Sequence, residues 1–376
     1  MKHLLVLCLS LTALGSFAQL DSIWVGDMYR YYAIHLPPNY DGVAELPVVI
    51  GLHGGFGSAE QLPNQSLLSE SADEEGYIAL YPDGLGYILA PAFHFWNAGE
   101  CCGYPLNAGI DDVQFISDLI DDIGNNYAVD LNRVYATGIS NGGMMSYKLA
   151  CELSDKIAAI APVAGPLMSH PCNAENPIPV IHFQSYQDSN IPYLGGVGDG
   201  ASDHYNPPID SVLNVFASLN DCASLNDTVY DGTDFTHVVW SECLCSYRVE
   251  YYISTDGGHS WPGGVVALGD DPSVLLDAND LMWEFFQEFS LDCNVTVKEE
   301  EQMNAFEVFP NPASNIIHII SPSPVTEVIL YNQQGSQVAT TVMNNNLAVD
   351  HLPVGLYVMI IKTQKYQCVR RILKEW

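Results

Sequence analysis

The chain is poor in basic residues. Twelve lysines and arginines stand against 45 aspartates and glutamates among 376 residues, a formal net charge of −33. The imbalance lies in the first three quarters of the chain. From Gln19 to Val297 five basic residues face 38 acidic ones, whereas from Met303 onward five face four. Such a negative field disfavours nucleic acids, anionic membranes and polyanionic substrates such as pectate as partners.

Long apolar runs are also scarce. Beyond the amino-terminal segment, no stretch reaches the roughly 18 apolar residues that a membrane-spanning helix needs. The amino-terminal segment itself combines Lys2 and His3 with an apolar core from Leu4 to Leu14 and a small-residue cleavage site at Ser16-Phe17-Ala18. This order predicts a secretory signal peptide over residues 1–18 and therefore export. A buried amino-terminal strand or helix is the alternative.

The cysteines lack the usual C-x2-C spacing of a zinc site, and no paired histidine motif accompanies them. Export would place them in an oxidising compartment, where an even number of cysteines indicates disulfides. Outside the predicted signal peptide, eight of them precede residue 294: Cys101, Cys102, Cys151, Cys172, Cys222, Cys243, Cys245 and Cys293. We expect disulfides rather than the rival zinc site. We also expect the adjacent Cys101 and Cys102 to bond to separate partners rather than to each other.

Strand-like and helix-like segments alternate through the first three quarters of the chain. Pro47–Leu52 and Arg133–Thr137 are apolar enough to be strands, and Val113–Ile123 has its apolar residues at near-helical spacing. Strands that are apolar throughout and alternate with amphipathic helices are typical of a parallel sheet covered on both faces. The predicted fold class over residues 19–293 is therefore α/β, with a mostly parallel sheet and helices on both faces.

The composition changes after Cys293. Residues 294–302 contain three consecutive glutamates and are predicted to be a linker. Residues 303–376 then show short strand-like runs, turn signals such as Asn311-Pro312 and no helical pattern. We expect a small all-β sandwich there.

The most informative motif is Gly138-Ile139-Ser140-Asn141-Gly142. It follows a predicted strand and precedes a helical segment that begins at about Met144. A serine between two glycines at such a junction sits on a sharp turn, because the missing side chains let the strand and the helix approach closely. The turn would expose the Ser140 hydroxyl to a base and makes it the candidate nucleophile.

Serine catalysis also needs a base and an acid that orients it. His259 lies between two pairs of glycines, directly after a predicted strand, and is the candidate base. Asp188 follows the strand that ends near Phe183 and is the candidate acid. Their order along the chain, serine, acid, histidine, is the one that α/β-hydrolases use. A packed loop histidine and a solvated loop aspartate are the alternatives.

Backbone amides would stabilise the developing oxyanion. The candidates are the N–H of Asn141, at the start of the helix, and one from the loop Gly54–Phe56, with Gly55 and Phe56 as the expected donors. This glycine-rich loop could instead hold phosphate, but it lacks the Lys-Ser/Thr ending of such loops and the chain is acidic.

Residues 164–177 connect two predicted strands at the place where many α/β-hydrolases insert a lid, and they are too few to form one. We therefore expect an open cleft that suits bulky or polymeric esters. Trp261, Trp96 and Tyr193 are the candidate substrate contacts, with Phe56 as a further wall residue.

Several motifs in order resemble the secreted polyhydroxybutyrate depolymerase / feruloyl esterase group of α/β-hydrolases. They are Tyr29–Pro37, His53-Gly54-Gly55, Trp96–Gly103, Asp111-Asp112-Val113, Gly138–Gly143 and Gly258–Gly264. The resemblance covers about residues 24–290 and implies Ser140 as nucleophile, His259 as base and a structural role for His53. The family's His-Gly-Thr segment before the acid is replaced by Gln184-Ser185-Tyr186, while Asp188 and the following Ile191-Pro192-Tyr193 are retained.

The carboxyl-terminal segment has motifs of its own. Phe306–Ala313, Ile329–Asn332 and Leu352–Tyr357 are similar to sorting domains of the type IX secretion system. The resemblance implies that the secretion machinery is a partner and that the chain passes through the periplasm and outer membrane to the cell surface or the medium. A carbohydrate-binding or spacer sandwich is the alternative.

Together these features predict an exported serine carboxylic ester hydrolase that needs no metal or other cofactor. Its expected substrates are polyhydroxyalkanoate-type polyesters or feruloyl and acetyl esters of plant polysaccharides. A peptidase of the same fold and a catalytically silent secreted binding protein are the alternatives.

Overall fold

A computed structural model of the chain describes residues 20–87, 90–199, 204–223, 227–266, 270–292, 307–321, 324–332, 337–338, 342–343, 345–363 and 367–375. It divides into two compact units, residues 1–293 and 294–376. The predicted signal peptide and the predicted linker lie outside the described residues.

The first unit alternates strands and helices. Its strands are β1 Asp21–Val25, β2 Met28–His35, β3 Leu46–Leu52, β4 Ile78–Pro82, β5 Leu85–Tyr87, β6 Ala90–Phe95, β7 Val129–Ile139, β8 Ala159–Val163, β9 Val180–Ser185, β10 Gly196–Val197, β11 Tyr205–Asn206, β12 Asp227–Asp231, β13 Phe235–Trp240 and β14 Val249–Ser254. Its helices are α1 Leu62–Ser66, α2 Leu68–Glu75, α3 Gly103–Ala108, α4 Asp112–Asn126, α5 Asn141–Glu152, α6 Ile209–Leu219 and α7 Ala278–Phe286.

Ten of these strands form one sheet in the order β1-β2-β4-β3-β7-β8-β9-β14-β13-β12. The six central strands, from β4 to β14, pair in parallel, and an antiparallel pair extends the sheet at each edge. The carboxyl ends of the central strands therefore lie along one edge of the sheet, which is where sites form in such folds. We call this edge the carboxyl edge.

Helices cover both faces of the sheet. On one face Val48, Ile50 and Val134 pack in a core with the apolar sides of α4, α5 and α6. On the other face Val49 and Tyr135 pack with α2 and α7. Successive strand residues thus point into opposite cores, which explains why strands such as β3, β4 and β8 are apolar on both faces. The predicted α/β-hydrolase class is confirmed.

Differences from the sequence prediction concern additions to this frame. The hairpin β5–β6, the short helix α3 and the antiparallel strands β12 and β13 were not predicted, because each is short and none has a clear apolar period. Helix α7 begins at Ala278, because the Asp277 carboxylate caps its first turn by accepting from the amides of Asn279 and Asp280.

The cysteines form disulfides, although one pairing prediction is wrong. Cys151 bonds to Cys172 and Cys222 to Cys243, and Cys245 is disulfide-bonded as well. Cys101 and Cys102 bond to each other and not to separate partners. The alternative partners are taken, since Cys151 bonds to Cys172 and Cys222 to Cys243.

The second unit consists of strands alone in its described part. They are β15 Glu307–Phe309, β16 Ile316–Ile320, β17 Val325–Tyr331, β18 Gln337–Val338, β19 Val342–Met343, β20 Asn346–Ala348, β21 Gly355–Thr363 and β22 Gln367–Lys374. They form two four-stranded sheets. Ile317 and Leu347 from one sheet share a core with Met359 and Ile372 from the other, so the two sheets pack as a sandwich.

No helix in the described part of the chain has both the length and the apolar character needed to cross a membrane.

Close packing fixes the junction of β7 and α5. A Cβ on Gly142 would overlap the backbone oxygen of Leu52 and lie 2.6 Å from that of His53, and a Cβ on Gly138 would lie 2.6 Å from the same Leu52 oxygen. Helix α5 therefore touches the end of β3 directly. This contact brings the loop after β3 beside the Ser140 turn.

This packing predicts that Gly142→Ala lowers the free energy of unfolding by about 3 kcal/mol or more, since the added methyl group meets rigid backbone. Urea unfolding followed by circular dichroism measures the change. The matched control is Gly124→Ala in α4, where a Cβ would meet only side-chain atoms of Leu131. We expect that control to be neutral or slightly stabilising. Equal effects of the two variants would contradict the account.

Candidate active site

Ser140 occupies a strained turn between β7 and α5. Its backbone angles are φ 57° and ψ −120°, a region that non-glycine residues rarely adopt. The turn is held by backbone hydrogen bonds, from the Ser140 amide to Val163 O at 2.9 Å and from the Met144 amide to Ser140 O at 2.9 Å. Ser140 thus stands at the carboxyl edge, and its side chain is partly exposed. This is the geometry that the motif predicts.

The loop after β3 lies directly against this turn. A Cβ on Gly54 would be 3.6 Å from the Ser140 Cβ, and one on Gly55 would be 3.9 Å from the Asn141 Cβ. The Asn141 amide belongs to the first turn of α5, where N–H groups have no partner within the helix. Among the described residues the Gly55 amide has no hydrogen-bond acceptor. Two amides beside Ser140 are therefore free to stabilise an oxyanion.

His53 orients the Gly54–Gly55 peptide. Its Nε2 accepts from the Gly84 amide at 2.9 Å, so the proton is on Nδ1, which donates to Gly54 O at 2.7 Å. The Gly57 amide donates to the same oxygen at 3.1 Å. Because the C=O and N–H of a trans peptide point in opposite directions, the Gly55 N–H faces away from His53. Burial lowers the pKa of His53 to about 4, so the ring stays neutral.

Phe56 does not provide the predicted oxyanion amide. Its N–H donates to His94 O at 2.9 Å, which pins the loop to β6. Its ring is exposed instead, and it packs edge-to-face on Phe93 and Phe95 with centroids 5.7 and 4.8 Å away. Phe56 and Phe93 thus form an exposed aromatic wall beside the two free amides. Phe93 was missed because nothing in the sequence places β6 next to this loop.

The two predicted tryptophan contacts are wrong. Trp96 is fully buried, and its ring N–H donates to His53 O at 3.0 Å while its backbone pairs with the Asn141 side chain. Trp261 is also buried and donates to Asn279 Oδ1 at 3.1 Å. Both rings hold loops in place and cannot line an open cleft. Tyr193 is half-buried against Tyr186, and its contact with substrate stays a prediction.

Asp188 and His259 meet as predicted from their order. Asp188 follows β9 and His259 follows β14, which are neighbours in the sheet, and both residues lie at the carboxyl edge. His259 Nδ1 lies 2.9 Å from Asp188 Oδ2. The carboxylate can only accept, so Nδ1 carries the proton and Nε2 is left as a base. Asp270 Oδ2 accepts from the His259 amide at 2.7 Å and fixes the histidine loop.

The Asp188 carboxylate is fully satisfied. Its Oδ1 accepts from the amides of Asn190 and Ile191 at 2.9 and 2.8 Å, and its Oδ2 accepts from Gln184 Nε2 at 3.0 Å as well as from His259. A buried carboxylate with this many donors keeps one orientation.

Gln184 connects Asp188 to a buried chain of hydrogen bonds. Its Nε2 donates to Asp188 and to Ile191 O, so its Oε1 faces His182 Nε2 at 3.3 Å and accepts from it. His182 Nδ1 then accepts from the Tyr147 hydroxyl at 3.0 Å. Burial lowers the pKa of His182 to about 4 and raises that of Tyr147, so both remain neutral. Every donor in this chain points toward Asp188.

Gln184 was not predicted to have a role in the site. The available signal was its position, since Gln184-Ser185-Tyr186 replaces the His-Gly-Thr segment that the resembled family has before its acid. His182 and Tyr147 carried no signal, because both stand in apolar surroundings where a buried polar group usually has only a structural partner.

The connection between β8 and β9 is held against the body of the unit. Met168 O accepts from the Glu100 amide at 2.9 Å, and the disulfide Cys151–Cys172 ties the segment to the end of α5. The additions near the carboxyl edge are instead the hairpins β5–β6 and β10–β11.

Comparison with known proteins finds two family matches. Residues 30–197 match the family described as esterase PHB depolymerase, and residues 307–375 match the secretion system C-terminal sorting domain. The sorting domain marks a chain that is secreted to the cell surface or beyond.

The similar curated proteins include three fungal esterases. Feruloyl esterase B of Piromyces equi is 29% identical over 272 residues, covering 70% of this chain and 46% of that protein. The bifunctional acetylxylan esterase/xylanase XynS20E of Neocallimastix patriciarum is 24% identical over 294 residues, covering 77% and 37%. Feruloyl esterase C of Emericella nidulans is 27% identical over 262 residues, covering 68% and 83%. The chain thus spans less than half the length of the first two.

Among solved structures, the acetyl xylan esterase from Aspergillus awamori aligns with a TM-score of 0.49 at 14% identity, covering 72% of this chain and 99% of that one. A thermostable esterase aligns with a TM-score of 0.45 at 16% identity, covering 73% and 63%.

The chain of hydrogen bonds predicts that Gln184→Leu lowers kcat about 10- to 100-fold toward a small p-nitrophenyl ester, because a hydrogen bond to a charged group contributes about 1.5–3 kcal/mol. KM should stay within about threefold, since Gln184 is buried away from the surface. Steady-state kinetics measure both constants, and a thermal melt confirms that the variant is folded.

The control is Gln187→Leu in the same loop, where the exposed side chain donates only to Thr255 O. We expect its kcat to match that of the parent. If a folded Gln184→Leu enzyme kept full kcat, Asp188 would not need this support.

Proposed function

We propose, from the esterase PHB depolymerase domain over residues 30–197 and the sorting domain over residues 307–375, that this chain is an exported serine carboxylic ester hydrolase. The observation that carries the proposal is the Asp188–His259 hydrogen bond. It lies at the carboxyl edge, where the strained Ser140 turn also lies. A nucleophile, a base and an oriented acid are the parts that acyl transfer by serine needs.

In the proposed reaction His259 Nε2 takes the proton of the Ser140 hydroxyl while the serine oxygen attacks the ester carbonyl carbon. The positive charge on the imidazole is stabilised by Asp188, which accepts from Nδ1. His259 then gives its proton to the leaving alcohol oxygen, and the acyl group remains on Ser140. Attack of water on this acyl-enzyme, assisted by the same histidine, releases the acid and regenerates the serine.

The oxyanion of each tetrahedral intermediate would accept from the amides of Asn141 and Gly55. Both lie beside Ser140, and the bonds from His53 and Gly57 to Gly54 O hold the second amide in its orientation before substrate arrives. Donors fixed in advance stabilise developing charge without reorganisation, and removing one such donor typically costs about 100- to 1000-fold in rate.

The proposed substrates are feruloyl or acetyl esters of plant polysaccharide. The curated relatives are named for such esters, and the aromatic wall of Phe56 and Phe93 offers rings for an apolar acyl group beside the oxyanion amides. The anchored connection between β8 and β9 leaves no lid in that place, which suits an ester carried on a polymer. Polyhydroxyalkanoate polyesters remain in the test as the other ester class.

The proposal predicts that the full chain hydrolyses methyl ferulate or acetylated xylan faster than short-chain poly(3-hydroxybutyrate) and much faster than peptide amides. Ser140→Ala should lower every ester rate on the order of 10⁶-fold, because the parts of a serine triad act as a unit. Released ferulate, acetate and hydroxybutyrate are measured side by side.

Ser146→Ala, which removes one hydroxyl from the same helix, serves as the control and should keep the parent's rate. If the Ser140→Ala variant still hydrolysed esters at the parent's rate, Ser140 would not be the nucleophile. Preference for the polyester, or for peptide amides, would replace the proposed substrate class.

A further inference from the structure

Three exposed aromatic side chains share one face of the β1–β2 hairpin. Trp24, Tyr29 and Tyr31 are 58%, 59% and 49% exposed. Trp24 stands directly opposite Tyr29, and Tyr31 follows two residues later, so the alternation of strand residues places all three on the same side. We call these three residues the aromatic platform.

The aromatic rings of the platform have a fixed arrangement. The rings of Trp24 and Tyr29 pack edge-to-face with centroids 4.8 Å apart, so each ring keeps at least one face open. On the opposite side of the hairpin Arg30 is buried and its guanidinium donates to Asp112 Oδ1 at 2.7 Å and to Asp83 O at 3.3 Å. A buried charge pair of this kind anchors the strand that carries the two tyrosines.

The platform lies at the carboxyl edge with the candidate catalytic residues. Strand β2 pairs with β4 only from Tyr32 onward, where Tyr32 is opposite Pro82, so Tyr29 and Tyr31 extend past the carboxyl end of β4. The Asp83 amide, directly after β4, donates to Tyr31 O at 2.9 Å. Three strand spacings separate β2 from β7, the strand that ends at Ser140, which is about 14 Å. A long polymer can therefore contact both places at once.

The chemistry of the platform favours a neutral polysaccharide. The apolar C–H faces of sugar rings pack on exposed aromatic rings, and tyrosine hydroxyls offer polar contacts at the rim. The exposed carboxylate of Asp27, in the turn between β1 and β2, can accept hydrogen bonds from sugar hydroxyls. The net charge of −33 opposes a polyanion and also a second copy of this chain.

We propose that Trp24, Tyr29 and Tyr31 form a docking surface for a neutral xylan-type polysaccharide and hold the polymer beside the ester-cleaving site. The choice of polysaccharide rests on the proposed function. The repeating units of a polyester have no hydroxyl donors for the Asp27 carboxylate, and a polyester is the competing outcome of the test.

Binding is measured on the full chain carrying Ser140→Ala, so that no hydrolysis accompanies it. The probes are insoluble ester-free xylan and poly(3-hydroxybutyrate) granules, with the free protein quantified after sedimentation. We expect the dissociation constant for xylan to rise at least tenfold when Trp24→Ala, Tyr29→Ala and Tyr31→Ala are combined. In the triple variant that retains Ser140, kcat/KM for methyl ferulate should stay within about twofold of the parent's value, because that small ester does not reach the platform.

The matched control is Tyr230→Ala, which removes an exposed tyrosine from β12 at the opposite edge of the same sheet. Its affinity for xylan should equal that of the parent. A second variant, Trp24→Phe, keeps an aromatic ring at this position and allows the platform to be tested even if the triple variant does not fold. Xylo-oligosaccharides should change the tryptophan fluorescence of the parent, and Trp24→Phe should remove that change.

The platform assignment is overturned if xylan binding is absent, if it survives the triple variant, or if the parent binds only the polyester. These outcomes are separate from the fate of the proposed function. If the chain with Ser140 intact hydrolysed no ester but still bound xylan through the platform, the proposed function would be rejected and the docking surface retained. If that chain hydrolysed esters but bound xylan independently of the platform, the docking surface would be rejected and the proposed function retained.

Discussion

The candidate site depends on the direct contact between the start of α5 and the end of β3. Gly142 leaves no room for a side chain against the backbone oxygens of Leu52 and His53. Because of this contact, the Ser140 turn and the loop that holds Gly55 become neighbours, although 85 residues of sequence separate them. The positions of the candidate nucleophile and of both proposed oxyanion amides therefore follow from one packing constraint. His53 and the buried Trp96 then fix the loop within that frame.

The candidate acid, Asp188, is positioned by hydrogen bonds rather than by backbone packing. The resembled family carries His-Gly-Thr before its acid, and this chain has Gln184-Ser185-Tyr186 there. Gln184 nevertheless donates to Asp188 while it accepts from His182, so the hydrogen bonds run in one direction from the buried Tyr147 hydroxyl to the carboxylate. A carboxylate held by several donors cannot rotate away from the histidine that it orients. The Gln184-Ser185-Tyr186 segment thus supports the orientation of Asp188 toward His259.

The frame of the fold was predictable from the sequence, because most central strands contain a short apolar run and the longer covering helices have one apolar side. The same reasoning located Ser140, Asp188 and His259 by their order at strand ends. It failed for Trp96 and Trp261, since composition near a catalytic motif does not tell an exposed ring from a buried one. It also failed for Phe56, whose amide is used by β6, and for the pairing of Cys101 with Cys102. These features depend on tertiary neighbours that local pattern does not reveal.

The proposed reaction requires that Ser140 be the nucleophile and that His259 activate it. The most direct measurement is peptide mass spectrometry after reaction with a fluorophosphonate, which phosphonylates an activated serine. We expect one adduct, on the peptide that contains Ser140, and labelling that slows at least a hundredfold in His259→Ala. An adduct on a different serine, or unchanged labelling without the histidine, would contradict the proposed reaction.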